Sequence, residues 1–183
     1  LLSVAAVFSM LGCKSEKAPK TDLPREVYVG QQAQHVQGIA YDEEKNCMYM
    51  SFTSRFVKVD MQGNILGSID RIQGHLGAMT FDRKVYASLE CKDDQIGQGI
   101  ARTLGVDVVT ESVFYIAIID VDKLTTLGAD PEKGDVLKTV CVKEACADYA
   151  AKVNVADTTL DHRFACSGID GVTIAPAIGA KNK

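Results

Sequence analysis

His35-Val-Gln-Gly-Ile-Ala-Tyr-Asp42 is echoed by His75-Leu-Gly-Ala-Met-Thr-Phe-Asp82, and a second apolar run containing Tyr-x-Ser follows each. The two phrases mark an internal repeat with a period of about forty residues. That is the size of one four-stranded propeller blade, a unit that cannot bury both its faces alone. After Asp42 a polar turn leads to Cys47-Met-Tyr-Met-Ser-Phe52, and a shorter turn after Asp82 leads to Val85-Tyr-Ala-Ser-Leu89. The first unit continues as Phe56-Val-Lys-Val-Asp60, the turn Met61-Gln-Gly-Asn64, and Ile65-Leu-Gly-Ser-Ile69. This reads as strand, tight turn, strand. The second unit offers Phe114-Tyr-Ile-Ala-Ile-Ile-Asp120, then Gly134-Asp-Val-Leu-Lys-Thr-Val140, which parallels Gly63 to Ile69. A third opening begins at Gly168-Ile-Asp-Gly-Val-Thr-Ile-Ala175, with Gly171 in the place of Gly38. The expected fold is all-β. Residues 35–183 form a partial β-propeller of two four-stranded blades plus the first strand of a third, with short helical insertions. A propeller closes with about four to eight blades, so further units are expected beyond Lys183.

Ahead of the repeats lie two segments of different character. Residues 1–13 are an uncharged apolar run ending in Met10-Leu-Gly-Cys13, which resembles the lipobox of bacterial lipoproteins, with Leu11 where a small residue is usual. It is shorter than the roughly 20 apolar residues a spanning helix needs. Residues 14–34 hold a tether and a first strand, the tether opening with the polar Lys14-Ser-Glu-Lys-Ala-Pro-Lys20. The resemblance implies lipidation of Cys13 and a membrane-anchored protein of the bacterial cell envelope, periplasmic or surface-facing. A cleaved signal without lipid, or a buried strand, is the plainer alternative.

A net charge of −4 without a run of Lys or Arg excludes a phosphate-binding face, so no nucleic acid is expected. With 7% aromatic residues and no Trp there is little material for stacking platforms. Export implies an oxidising compartment for the six cysteines. If Cys13 carries lipid, Cys47, Cys91, Cys141, Cys146 and Cys166 remain, an odd number. Pairings of Cys141 with Cys146 and of Cys146 with Cys166 are both open, while Cys47 and Cys91 read as half-buried strand residues. The spacing of cysteines and histidines does not fit a zinc site.

Two insertions break the repeat. The first runs from Lys92 to Ser112, and its Gly97-Gln-Gly99 lacks the spacing and the βαβ setting of a dinucleotide loop. The second, Glu144 to Phe164, contains Glu144-Ala-Cys-Ala-Asp-Tyr-Ala-Ala-Lys-Val153, a short helix by propensity. Insertions of this kind line a binding face or cap a sheet edge. In a propeller the residues just ahead of each opening strand converge on one mouth of the central channel. His35 and His75 share one repeat position there, and Asp170 falls two residues past it. They are candidate ligand-binding residues, with His162 and Arg163 just before the third opening. Hydrogen bonding of the two histidines to neighbouring backbone, as blade anchors, is the competing role. Glu90, Asp93 and Asp94 are candidate oxygen ligands for Ca²⁺, or simply solvated loop carboxylates.

The openings HVQGIAYD and HLGAMTFD, the DMQGN turn and the lipoprotein-like start together resemble propellers of the NHL-repeat and gluconolactonase-like type, found as exported bacterial lipoproteins. The resemblance covers about residues 35 to 175. It implies one of two functions. One is a lipid-anchored ligand-binding or scaffold module whose partner is a small molecule or an envelope protein. The other is a Ca²⁺-dependent lactonase or phosphoesterase whose acidic ligands come from blades outside this sequence. The absence of GxSxG, GxxxxGK[ST] and HExxH motifs favours the module over an enzyme, and no catalytic residue can be assigned.

Overall fold

The computed structural model describes residues 23–30, 32–144, 153–155, 158–160 and 168–175. The first repeat folds as β1 (Val36–Asp42), β2 (Cys47–Phe52), β3 (Arg55–Asp60) and β4 (Ile65–Ile69), an antiparallel sheet in sequence order. The second folds as β5 (His75–Asp82), β6 (Lys84–Cys91), β7 (Val113–Ile119) and β8 (Leu137–Cys141), again in sequence order, with α1 (Gln95–Leu104) between β6 and β7. A two-stranded ribbon follows, made of β9 (Val153–Val155) and β10 (Thr158–Leu160). The chain is therefore mostly β, built on two four-stranded antiparallel sheets and one helix. Among the described residues neither sheet closes on itself.

The repeat in sequence is a repeat in register. β1 slips against β2 between Val36 and Gly38, and β5 slips against β6 between Leu76 and Met79. Such a bulge inserts an unpaired residue and bends the strand, so both opening strands bend at the same place. At the bends the sheets meet: the Ser51 hydroxyl of β2 donates to the Gly77 carbonyl of β5 at 2.7 Å. The Leu76 amide donates to the Thr53 carbonyl at 2.8 Å.

The core lies between the sheets. Tyr49, Phe56, Ile69 and Ile72 from the first unit meet Leu76, Val85, Ala87, Ala117 and Ile119 from the second. Tyr49 is fully buried, stacks on Phe56 at 6.0 Å between ring centroids and packs tilted against Phe81 of β5 at 5.2 Å. Its hydroxyl donates to Asp42 at 2.8 Å, giving the phenol a partner inside the core. The far face of the first sheet has its own cluster, Met50, Phe52, Val57 and Val59, against which Val29 packs. The β3–β4 turn is held by Asp60, whose carboxylate accepts from the Gln62 and Asn64 amides at 2.9 and 2.8 Å. Gly63 sits there at φ +86°, so close to the Tyr28 carbonyl that no side chain fits.

The β4 edge is covered by the loop between β7 and β8. The Ser68 amide donates to Thr126 at 3.0 Å, and the Ala129 amide donates back to Ser68 at 2.8 Å. Pairing an edge in this way removes a template for aggregation.

Several expectations change. Residues 14–34 have no strand among those described, since β1 begins at Val36. The third opening, 168–175, is seated beside the second sheet but has no strand pairing. The helix expected over Glu144–Val153 does not reach its end, because Val153 opens β9, and residues 145–152 lie outside the described residues. The helix that is described, α1, lies instead in the first insertion.

Candidate functional site

The strands bring together groups that are far apart in sequence. His75 opens β5 directly across from Glu90, near the end of β6, so both side chains share one face. Glu90 is 8% exposed and accepts a hydrogen bond from the Ile169 amide of the third opening. Gly168 lies against the same carboxylate, with no room for a side chain. The Asp170 carbonyl lies near Gly77, one unit along from where Gly77 itself receives Ser51. The third opening thus rests on β5 and β6 through Glu90.

Electrostatics report the same convergence. Burial pushes the His75 pKa down, and the charges of His35 and Lys92 push it further, while Asp170 and Asp94 oppose them. Glu90 is shifted upward, mainly by burial, with Asp170 and Asp94 adding to the rise and the Ile169 amide and Lys92 resisting it. His75 therefore feels His35, Lys92, Asp170 and Asp94, and Glu90 feels Lys92, Asp170 and Asp94, at one end of the two sheets. This is a mixed-charge cluster, able to offer an imidazole and a carboxylate to a polar ligand.

Neither histidine is a backbone anchor among the described residues. The exposed His35 ring shares a 2.9 Å hydrogen bond with the Gln37 side-chain amide, and the half-buried His75 ring has no hydrogen-bond partner among them. This leaves the imidazole of His75 available, and it sets an expected outcome. His75→Ala should change stability by less than about 1 kcal/mol at pH values above the ordinary imidazole range, because no partner is left unsatisfied. Since the folded state binds a proton on His75 less readily than the unfolded chain, wild type loses stability as pH falls from that range. The alanine variant lacks this loss and should melt higher than wild type at acid pH. Melting curves at two pH values check it, and a large destabilisation at both would restore the anchor role.

The three carboxylates considered for Ca²⁺ have separate work. Asp94 caps α1, accepting from the Ile96 and Gly97 amides at 3.0 and 2.9 Å, and pairs with Lys92 at 2.9 Å; its pKa is held down by these contacts. Asp93 accepts from the Ser112 hydroxyl at 2.7 Å. Glu90 is buried and accepts from the Ile169 amide. Among the described residues no three His, Cys, Asp or Glu side chains are grouped to hold a metal. His162, Arg163 and Cys13 lie outside the described residues, as do Cys146 and Cys166. Cys47, Cys91 and Cys141 are free thiols, Cys141 exposed on β8. Among the described residues no helix is long and apolar enough to cross a membrane.

Sequence reasoning passed over Lys92 as a site residue. The signal was present: a lone cation two residues from Glu90 and two from Asp94 at a strand end.

No family model matches the chain, and no curated protein is similar enough to match. Among solved structures it is similar to the computationally designed Ika4 protein, with 14% identity, a TM-score of 0.35, and coverage of 82% of this chain and 86% of that one.

Proposed function

We propose that the two sheets are blades of a β-propeller acting as a lipid-anchored binding module of the bacterial cell envelope. It takes a small polar molecule or an envelope protein at the end where His35, His75 and Asp170 meet. The observation that carries this reading is that His75 feels both His35 and Asp170, which come from the other two repeat openings, beside Lys92 and across the strand pair from Glu90. The shared bulge in β1 and β5 supports it, since repeated units that meet side by side are how a propeller is assembled. The seating of the third opening against Glu90 extends the series by one. In this reading α1 stands beside the mouth and Lys92 tunes its charge.

Anchoring is tested separately from binding. Cells expressing the wild-type protein and supplied with labelled fatty acid should incorporate label into it and retain it in the membrane fraction. Cys13→Ser should abolish both, and more than one acyl chain is expected, since a single one anchors only marginally. Label persisting in the serine variant, or wild type wholly in the soluble fraction, would remove the anchor from the proposal.

A further inference from the structure

On the opposite face of β6 from Glu90, between the sheets, lies a cavity of about 390 Å³ that the mouth at His75 does not use. Leu89, Val113, Tyr115 and Leu137 form its wall on the second sheet, and the chain linking β4 to β5 supplies Arg71 on the other side. A volume in this range is that of a small-molecule pocket. Arg71 is exposed at the rim and held there: its backbone adopts φ +63°, unusual for a side chain of this size, and one guanidinium nitrogen donates to the Leu104 carbonyl at the end of α1. Among the described residues the guanidinium forms no ion pair, so its remaining donors are free for an anion. Glu132 stands at the same rim, exposed.

We infer that this cavity binds a small amphipathic carboxylate, its apolar chain against Leu89, Val113 and Leu137 and its carboxylate on Arg71. A planar guanidinium matches a carboxylate with two parallel hydrogen bonds. Glu132 at the same rim disfavours a phosphate dianion more than a carboxylate, because the repulsion grows with the ligand's charge. The apolar wall disfavours fully polar acids, which would leave Leu89 and Val113 facing unmatched groups. The inference does not depend on how many repeats the protein has, only on the packing of the two sheets.

Octanoate and octanol, titrated into the full-length chain with binding read by nuclear magnetic resonance, form the test. Octanoate should bind saturably and octanol at least about tenfold more weakly, because octanol lacks the charge that the paired hydrogen bonds from Arg71 recognise. Arg71→Gly, which suits the positive φ, should erase the difference between the two probes. Thr139→Trp, placed at the cavity from the exposed strand β8, should abolish binding of both with the melting temperature unchanged. Absence of saturable octanoate binding to the folded protein, equal affinity for octanol, or undiminished binding in a folded Thr139→Trp variant would each overturn the proposal. If the tryptophan variant fails to fold, the comparison of octanoate with octanol in Arg71→Gly still decides.

Discussion

Phe56→Ala should destabilise the protein by about 3–5 kcal/mol, the largest single effect anticipated for any substitution outside the glycines and caps. Phe56 is fully buried in β3 and stacks on Tyr49, which in turn packs on Phe81 of the second sheet. Removing the ring opens a cavity at one end of this aromatic series, and the surrounding strands cannot collapse onto it without breaking the pairing of Phe56 with Ser51 and Ile69. Chemical denaturation measures the loss directly. Leu66→Ala, in the same sheet but 42% exposed, should cost far less, and the contrast separates burial from mere hydrophobicity.

Gly38→Val should cost about 1–3 kcal/mol for the opposite reason, because space is lacking rather than created. A Cβ at Gly38 would stand 2.8 Å from the Ala78 Cα and 3.0 Å from both the Gly77 carbonyl and the Ser51 hydroxyl. Two of these three neighbours are backbone of β5, which cannot turn aside as a flexible side chain could. The opening strands would have to separate, and the Ser51 to Gly77 hydrogen bond would be lost with them. Gly99→Ala in α1 is the matched control. Nothing lies within 4 Å of the place its new methyl group would take, so helix propensity alone acts and the change should stabilise by about 0.5–1 kcal/mol. Denaturation of the two variants should therefore move in opposite directions.

Much of the strand order could be read from the sequence because the repeat doubled each signal. Ile65–Ile69 is the strand the turn residues predict, to the residue, and His75–Asp82 coincides with the second opening. Apolar alternation bounded by Asp-containing turns leaves little choice in such segments. β8 begins later than expected, at Leu137, because Gly134 and Asp135 belong to the turn that precedes it. Helix α1 was hidden by its own glycines, Gly97 and Gly99, which weigh against helix in any propensity sum. Its caps nonetheless spelled it out: Asp94 accepts at the first turn, and Gly105 ends it at φ +67°. Gly97 is there because the Lys92 carbonyl packs too close for a side chain, a tertiary reason that no local pattern displays. The candidate site was legible in part for the same reason as the strands. His35 and His75 could be paired by repeat position, whereas the role of Glu90 in receiving the third opening depends on a contact with Ile169 across some eighty residues of chain. The cavity at Arg71 was invisible to sequence, since its walls come from a linker, loops and three strands of the second sheet that only the packing of the sheets unites.

If the three repeat openings bring His35, His75 and Asp170 within electrostatic reach of one another, the titration of the His75 imidazole reports it. Followed by nuclear magnetic resonance in the full-length protein, His75 should titrate below the ordinary imidazole range. Removing the charge of His35 with His35→Gln should raise that pKa, because a repelling cation is lost. Removing the charge of Asp170 with Asp170→Asn should lower it, because an attracting anion is lost. Shifts of opposite sign from two residues so far apart in sequence are what convergence requires. A His75 titration indifferent to both substitutions would contradict it.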